Sequence, residues 1–316
     1  MTSNWSDVPI PEPADGQIVA AVTHISIDPA IRGWINAGRS YIAPVEIGEV
    51  MRALTLGVVI SSRNKQFAEG GLVHGTFGVA EHAVSDGAGV HKITPAFGLS
   101  PATYLGVLGM TGMTAYFGLL DVGRLQPGET VLVSGAAGAV GTTVGRIAKI
   151  KGARVIRIAG GSEKCSKLID PGFDAVVDYK DGDLGQQLRQ HTPDRVDVFF
   201  DNVGGDILNQ GLTRLARGAR LVICGAVSQY HNADAVIGPS NYTALLVARA
   251  SMTGFVVFDY AERYSEAVAE MSRWLADRRL QSVEDTVRAD IEAFPGILAR
   301  LFTGANTGKL VLELER

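Results

Sequence analysis

The chain has 316 residues, of which 46% are hydrophobic and 20% charged, and its formal net charge is −4. That length accommodates two modest domains, and the mildly acidic balance argues against a nucleic-acid surface. The two cysteines, Cys165 and Cys224, give no disulfide framework and no CxxC metal knuckle. No apolar run approaches the roughly 18–20 residues of a membrane span. The polar opening "MTSNWSDVPIPEPADG" also lacks the basic-then-apolar pattern of a signal peptide. A reduced, soluble, cytoplasmic protein is expected, with neither nucleic acid nor membrane as a partner.

In chain order, residues 17–100 carry short β-like runs such as "QIVAAVTHISID" and "LTLGVVISS", separated by Gly, Ser and Asn. They predict a compact β-rich unit. Helical patterning begins with "LSPATYLGVLGMTGMTAYFGLLDVG". Six strand candidates follow: "TVLVSG", "RVIRIAG", "DAVVDY", "VDVFFDN", "RLVICG" and "MTGFVV", with helical segments between most of them. Such alternation predicts an α/β fold, a Rossmann-type doubly wound parallel sheet. "YAERYSEAVAEMSRWLADRRL" reads as one long amphipathic helix, and "GKLVLELE" as a terminal strand returning to the first domain. The expected division is therefore a β-rich substrate domain, 1–99 plus 278–316, and a nucleotide-binding domain, 100–277.

The first strand of the second domain runs into "VLVSGAAGAVG", where Gly135, Gly138 and Gly141 are spaced G-x-x-G-x-x-G. A strand before it and a helix after it make this a dinucleotide turn rather than a merely steric one. Glycine lets backbone approach a pyrophosphate, and the helix N-terminus offers unpaired N–H groups. About twenty residues on, an NAD site would place an acid against the ribose hydroxyls. The chain has Gly160, Gly161 and Ser162 there, followed by Lys164, with Tyr179 ending the next strand. An open, cationic position predicts NADPH rather than NADH.

Six segments carry a resemblance: "HISIDPAIRGWI", "GMTGMTAYFGLLDVG", "SGAAGAVG", "DNVGG", "CGAVSQY" and "GANTGKLVL". In order and spacing they resemble the zinc-independent medium-chain dehydrogenase/reductases, more narrowly the prostaglandin, alkenal double-bond and curcumin reductases. The resemblance implies a chaperonin-10-like fold for the β-rich domain and a homodimer formed through the nucleotide domain. It implies NADPH-dependent reduction of the carbon–carbon double bond of a small apolar enal or enone. Family members carry further N-terminal residues, so an edge of the first domain is expected to be missing or rearranged. Carried over by motif, the pyrophosphate contacts fall on Gly138, Ala139, Val140 and Gly141, the 2′-phosphate on Lys164 and the adenine on Tyr179. Asn202, Cys224, Gly225, Ala226, Val227, Ser228, Gln229, Tyr230, Phe255, Val256, Val257 and Asn306 complete the implied cofactor site.

For catalysis, no cysteine precedes Cys165 and no Gly-His-Glu turn occurs, so the ligand set of the zinc-dependent relatives is absent and no metal is expected. His24, His74, His82, His91, His191 and His231 show no i, i+4 pairing and are expected to be structural or superficial. Conjugate reduction needs donors toward the carbonyl oxygen, where charge develops. Tyr230 matches the family tyrosine placed near the nicotinamide ribose. Many members have a second tyrosine directly after Asp-Pro; here that position is Ala30, which makes Tyr41 the candidate substitute. Asp28 and Arg32 are expected to form a structural ion pair. Phe77 and Met113 fit either an apolar substrate slot or the core. A quinone reductase and a catalytically silent NADPH-binding protein are the alternatives.

Overall fold

Apolar runs in the N-terminal third form strands because their residues are packed on a sheet face. In the computed structural model, which describes residues 5–36, 40–95, 98–168, 174–230 and 237–315, the chain opens with β1 (Ile18–Ser26) and helix α1 (Ala30–Trp34). Strands β2 (Thr55–Ser62), β3 (Leu72–Gly75), β4 (His82–Ser85) and β5 (His91–Lys92) follow. Next come α2 (Met110–Phe117), β6 (Thr130–Val133), α3 (Ala139–Ile150), β7 (Arg154–Ala159), α4 (Ser162–Leu168) and β8 (Ala175–Asp178). The alternation continues through α5 (Leu184–His191), β9 (Val196–Asp201), α6 (Gly205–Leu212), β10 (Leu215–Ile223), α7 (Ala244–Ala248), β11 (Ser251–Gly254) and α8 (Tyr264–Ala276). It closes with β12 (Glu284–Ala289), α9 (Phe294–Thr303) and β13 (Lys309–Leu314). Two compact units result: Met1–Gly106 with Glu284–Arg316, and Val107–Val283. No helix among the described residues is long and apolar enough to cross a membrane.

The first unit is built on a seven-stranded sheet in the order β12-β13-β1-β2-β3-β5, with β4 also on β1. The terminal strand β13 runs antiparallel to β1, placing Glu313 opposite His24 and Leu312 opposite Ile25. One face of the sheet carries Ile18, Val22, Ile25, Val73 and Leu312, and α9 covers it with Phe294, Ile297 and Leu298. Phe77 belongs to this core, so the core reading of that residue is the one observed. Neither β12 nor α9 is among the sequence expectations: in β12, "EDTVRA", only Val287 and Ala289 pack against the core, between exposed Thr286 and Arg288, an apolar alternation too short to mark a strand.

The expected Asp28–Arg32 pair is corrected. Asp28 is 3% exposed, and its Oδ1 accepts from Lys309 Nζ at 2.6 Å. Ser26 Oγ donates to the other carboxylate oxygen, and Lys309 Nζ also donates to the Ile27 carbonyl at 3.1 Å. Arg32 lies one helical turn on, where solvent reaches it; lysine, arriving on β13, reaches the buried carboxylate instead. Burial pulls the Lys309 ammonium below its ordinary pKa, against the attraction of Asp28.

The second unit holds a six-stranded sheet in the order β11-β10-β9-β6-β7-β8, with every neighbouring pair parallel. This is the doubly wound α/β arrangement the alternation predicts. Strands such as β6 and β9 read as near-continuous apolar runs because helices cover both faces. Leu132, Ile156, Phe199 and Leu221 form one buried layer with Leu188, Ile207, Leu208 and Leu212 from α5 and α6. Met113 on α2 is 1% exposed, a core position rather than a slot lining. Chain order reverses between β6 and β9, which opens a crevice at their carboxyl ends. The single helix expected over 260–280 is shorter. A 3₁₀ turn, Val257–Arg263, precedes α8, and the Tyr264 hydroxyl donates to the Val257 carbonyl at 3.0 Å. At the far end Arg278 adopts φ +57°, a left-handed conformation that ends the helical run.

His74 on β3 is opposite His91 on β5, and burial first, then the charge of His91, pushes its pKa down to about 4. An unfolded chain takes up that proton near pH 6.5, whereas the folded chain refuses it until about pH 4. Stability is therefore unaffected above the unfolded pKa and falls as pH drops through this window, by up to about 3 kcal/mol. Urea midpoints measured at pH 7 and pH 5 should separate more for the wild type than for His74→Gln. Equal separations would show that His74 is not the titrating group.

Candidate functional site

The glycine turn follows β6. Gly135 takes φ +59°, and its carbonyl accepts from Gly138 N at 3.0 Å. Gly138 caps α3 in an extended conformation, with no side chain hydrogen-bonded across the helix start. A Cβ at Gly141 would lie 2.4 Å from the Gly135 carbonyl oxygen and 2.8 Å from Ala136 Cα, so only glycine lets the helix approach the turn this closely. The first-turn N–H groups of a helix lack intrahelical acceptors and sit at its positive end. Across Ala139, Val140 and Gly141 the arrangement presents backbone donors, with no side chain at Gly138 or Gly141 to block an anion.

The crevice beside this turn is organised by Asp201, which the sequence reading did not single out. It ends β9, is fully buried, and its Oδ1 accepts from Ser134 Oγ at 2.5 Å and Val203 N at 3.1 Å. Gly204 N donates to Oδ2 at 3.0 Å. Its backbone carbonyl accepts from Cys224 N at 2.9 Å and Gly225 N at 3.4 Å. Burial pushes the carboxyl above its ordinary pKa, and these donors pull it back. Asn202 is fixed in the same network, with N on Ser134 Oγ at 2.9 Å and Nδ2 on the Ser134 carbonyl at 2.8 Å. The Asp201 carboxylate thus joins the ends of β6 and β9, and its backbone carbonyl adds the end of β10.

The segment Cys224–Tyr230 hangs from the same network. Val227 N donates to the Asn202 carbonyl at 3.2 Å, and Ser228 N to the Val203 carbonyl at 3.1 Å. Ser228 Oγ also donates to the Val203 carbonyl, at 2.6 Å, while Val227–Gln229 make a 3₁₀ turn with Ala226 before it. Tyr230 folds back over the segment: a Cβ added to Gly225 would lie 3.0 Å from its hydroxyl. Phe255 follows Gly254, which pairs with Ile223, so it continues the same strand end. A Cβ at Gly118 would meet the Phe255 ring at 2.6 Å, so the ring rests on that glycine. Val256 is partly exposed, while Val257 is buried.

At the end of β7, Tyr179 lies across Gly160; a Cβ there would be 2.5 Å from the ring. Asp178, the nearest acid, faces backbone: its Oδ1 accepts from Gly161 N at 2.8 Å and Lys180 N at 2.9 Å. Glu163 is held by Lys167 at 2.8 Å. Burial lowers the pKa of Lys164, and the neighbouring Lys180 and Lys167 lower it further. Lys180 Nζ stands 6.0 Å from the Tyr179 ring centre. Lys180 is thus a cation beside the same opening that the sequence reading passed over, though its place directly after Tyr179 was a usable signal. Cations of like charge gathered around a glycine gap are the chemistry of a phosphate site.

Two expected residues belong to the first unit. Tyr41 is 56% exposed, and its hydroxyl accepts from Trp34 Nε1 at 3.2 Å. Asn306 is buried, with Nδ2 on the Gly308 carbonyl at 3.2 Å. His231 lies outside the described residues. Among the described residues no group of three or more His, Cys, Asp or Glu side chains is placed to hold a metal ion.

Two family models match the chain: "N-terminal domain of oxidoreductase" over residues 3–93 and "Zinc-binding dehydrogenase" over residues 139–273. A putative NADP-dependent oxidoreductase of Bacillus subtilis, YfmJ, is 41% identical over 98% of this chain and 92% of its own. The NADPH-dependent curcumin reductase of Escherichia coli is 35% identical over 96% and 89% respectively. Bovine prostaglandin reductase 1 is 33% identical over 97% and 92%. Among solved structures, CurA of Vibrio vulnificus in complex with NADPH superimposes with a TM-score of 0.92 at 38% identity, covering 98% of this chain and 94% of that one. Near-complete coverage at these identities, on the fold described above, makes the chain a member of the medium-chain dehydrogenase/reductase family, on the branch of the curcumin and prostaglandin reductases.

Proposed function

We propose that this protein is an NADPH-dependent reductase that saturates the carbon–carbon double bond of small α,β-unsaturated aldehydes and ketones. The observation that carries the cofactor is the end of β7, where Gly160 and Gly161 stand in place of an acid, Asp178 is engaged by backbone N–H groups, and Lys164 and Lys180 supply positive charge. Relatives named as NADP- or NADPH-dependent, and a structural neighbour solved with NADPH, support the same reading. The residues fit the group: the bare helix start at Ala139–Gly141 suits the pyrophosphate, and Lys164 with Tyr179 suits the 2′-phosphate side. Asn202, Cys224–Tyr230, Phe255–Val257 and Asn306 are proposed to hold the remainder.

Bound there, NADPH would supply the hydride. The chain's own residues act on the acceptor's carbonyl oxygen, where negative charge gathers as the β-carbon is reduced. Tyr230 and Tyr41 are the proposed donors, and preorganised donors of this kind contribute on the order of 3–4 kcal/mol each. The curcumin and prostaglandin reductases among the relatives support conjugated carbonyls as the substrate class.

The proposal includes a homodimer. β11 ends its sheet, all four of its residues are exposed, and Leu246 and Val247 nearby are 79% and 72% exposed. An uncovered strand edge invites pairing with a second copy. Sedimentation should return a particle of twice the 33.4 kDa chain mass; a monomer would contradict this contact.

The reductase assignment is tested by absorbance at 340 nm with NADPH or NADH against a 2-alkenal, an enone, a quinone and a saturated aldehyde. Oxidation is expected with NADPH and the conjugated carbonyls. Consumption of the quinone alone would make it a quinone reductase, and binding of NADPH without turnover would leave a silent binding protein. Lys164→Ala should weaken NADPH by about 1.5–3 kcal/mol, the loss of a charged hydrogen bond, and leave NADH unchanged. Equal weakening of both cofactors would contradict the phosphate role.

A further inference from the structure

We propose that one turn of π-helix, Gly118–Val122, is a positioning device for Phe255–Val257, and that Gly118 sets where the Phe255 ring stands in the cofactor site. This rests on the reading of Phe255–Val257 as part of that site. A dinucleotide lies across the crevice where the strand order reverses, so its two halves fall on opposite sides. β7 and β8, which lead into Lys164 and Tyr179, are on one side of β6; β9, β10 and β11 are on the other. Phe255, directly after β11, therefore falls with the nicotinamide half. The π turn continues α2 and closes through Gly123 N on the Gly118 carbonyl at 2.9 Å, one residue longer than an α-helical turn. Isolated π turns of this kind are frequent at functional sites.

Phe117 and Gly118 form the seat. Phe117 is fully buried, and its ring stacks on Tyr260 with centroids 4.8 Å apart and planes 21° from parallel. Tyr260 in turn meets the Phe255 ring edge-on, at 6.4 Å and 79°. A Cβ on Gly118 would lie 2.6 Å from the tip of the Phe255 ring and 2.7 Å from the Phe200 ring. Phe200 is fully buried in β9, so the partly exposed Phe255 is the ring that would have to move. The far end of the segment is tied to the same turn. Arg263 pairs with Asp121 of the π turn and with Glu266 at 3.1 Å, and its guanidinium carbon stands 5.1 Å from the Phe117 ring centre. Between these ties, Asp259 N donates to the Val256 carbonyl at 3.1 Å, and the Tyr264 hydroxyl to the Val257 carbonyl. Residues 255–263 are thus held at both ends by the π turn. Such restraint matters for hydride transfer, where a displacement of about 1 Å can cost on the order of 100-fold in rate.

The test uses the full-length protein and two ligands: NADPH, and adenosine 2′,5′-bisphosphate, which lacks the nicotinamide half. Gly118→Ala is expected to bind the bisphosphate as the wild type does and NADPH roughly 5- to 10-fold more weakly. Its kcat with an enone should fall on the order of 10- to 100-fold. Phe255→Leu makes room for the added methyl, so the double variant should lose less than the two single losses combined. Tyr260→Leu, at a partly exposed side chain, should show the same split with a smaller fall in kcat, and it covers the case in which Gly118→Ala fails to fold. Equal weakening of both ligands would reduce the π turn to a structural element and overturn the positioning role. NADPH affinity and kcat unchanged in the folded variants, beside an active wild type, would overturn it too, yet leave NADPH-linked enone reduction standing. Failure of that reading would show instead as a wild type that turns over no enone, and the two binding constants decide the positioning role even then.

Discussion

A single buried carboxylate holds the nucleotide side of this molecule together. Asp201 has no exposed surface, and it collects a hydroxyl from Ser134 and backbone N–H groups from Val203 and Gly204. Through its carbonyl it also fixes Cys224 and Gly225. Burial raises the pKa of this carboxyl, and a polar group so deep is tolerated only when its lone pairs are satisfied. The carboxylate's partners come from the ends of β6 and β9, so satisfying it joins those two strand ends, while the backbone carbonyl of the same residue carries the link to the end of β10. The crevice that opens there is then a consequence of the same bonds. Removing the acceptor would leave several buried donors without partners, which costs more than the bonds themselves contribute.

The fold imposes a second constraint at the opposite end of the chain. Lys309 and Asp28, 281 positions apart, meet as a buried pair that ties β13 to the segment after β1. Breaking such a pair by removing one partner costs about 3–5 kcal/mol, since the other charge stays buried. The segment that follows Asp28 leads to Trp34 and Tyr41, and the segment before Lys309 carries Asn306. Within the first unit, Asn306 is therefore three positions from one member of this buried pair and Tyr41 thirteen from the other.

These two devices show which features a sequence carries openly. The six parallel strands and the glycine turn were legible because their signals are local: apolar runs bounded by turn residues, and glycines where a Cβ would strike backbone. The cation at Lys164 was legible because its meaning depends on the missing acid a few residues before it. Asp201 was not, since an aspartate ending an apolar strand reads as a turn residue until Ser134, 67 positions away, is seen beside it. Asp28 was assigned to the nearest cation, Arg32, because sequence ranks partners by separation along the chain and the fold does not. β12 escaped notice because its alternation rests on two small apolar residues, Val287 and Ala289, set among charged and polar ones. Tyr41 could be named as a candidate, but its partner Trp34 could not, since a tryptophan beside a loop reads only as core.

The central claim is that the reduced atom is the β-carbon of a conjugated carbonyl. The most direct measurement uses NADPH deuterated at the nicotinamide C4, each face in turn, with a medium-chain enone, and locates the label by NMR. The account predicts a saturated ketone carrying deuterium from one face only, at the β-carbon. Deuterium on a carbinol carbon, with the double bond intact, would contradict it.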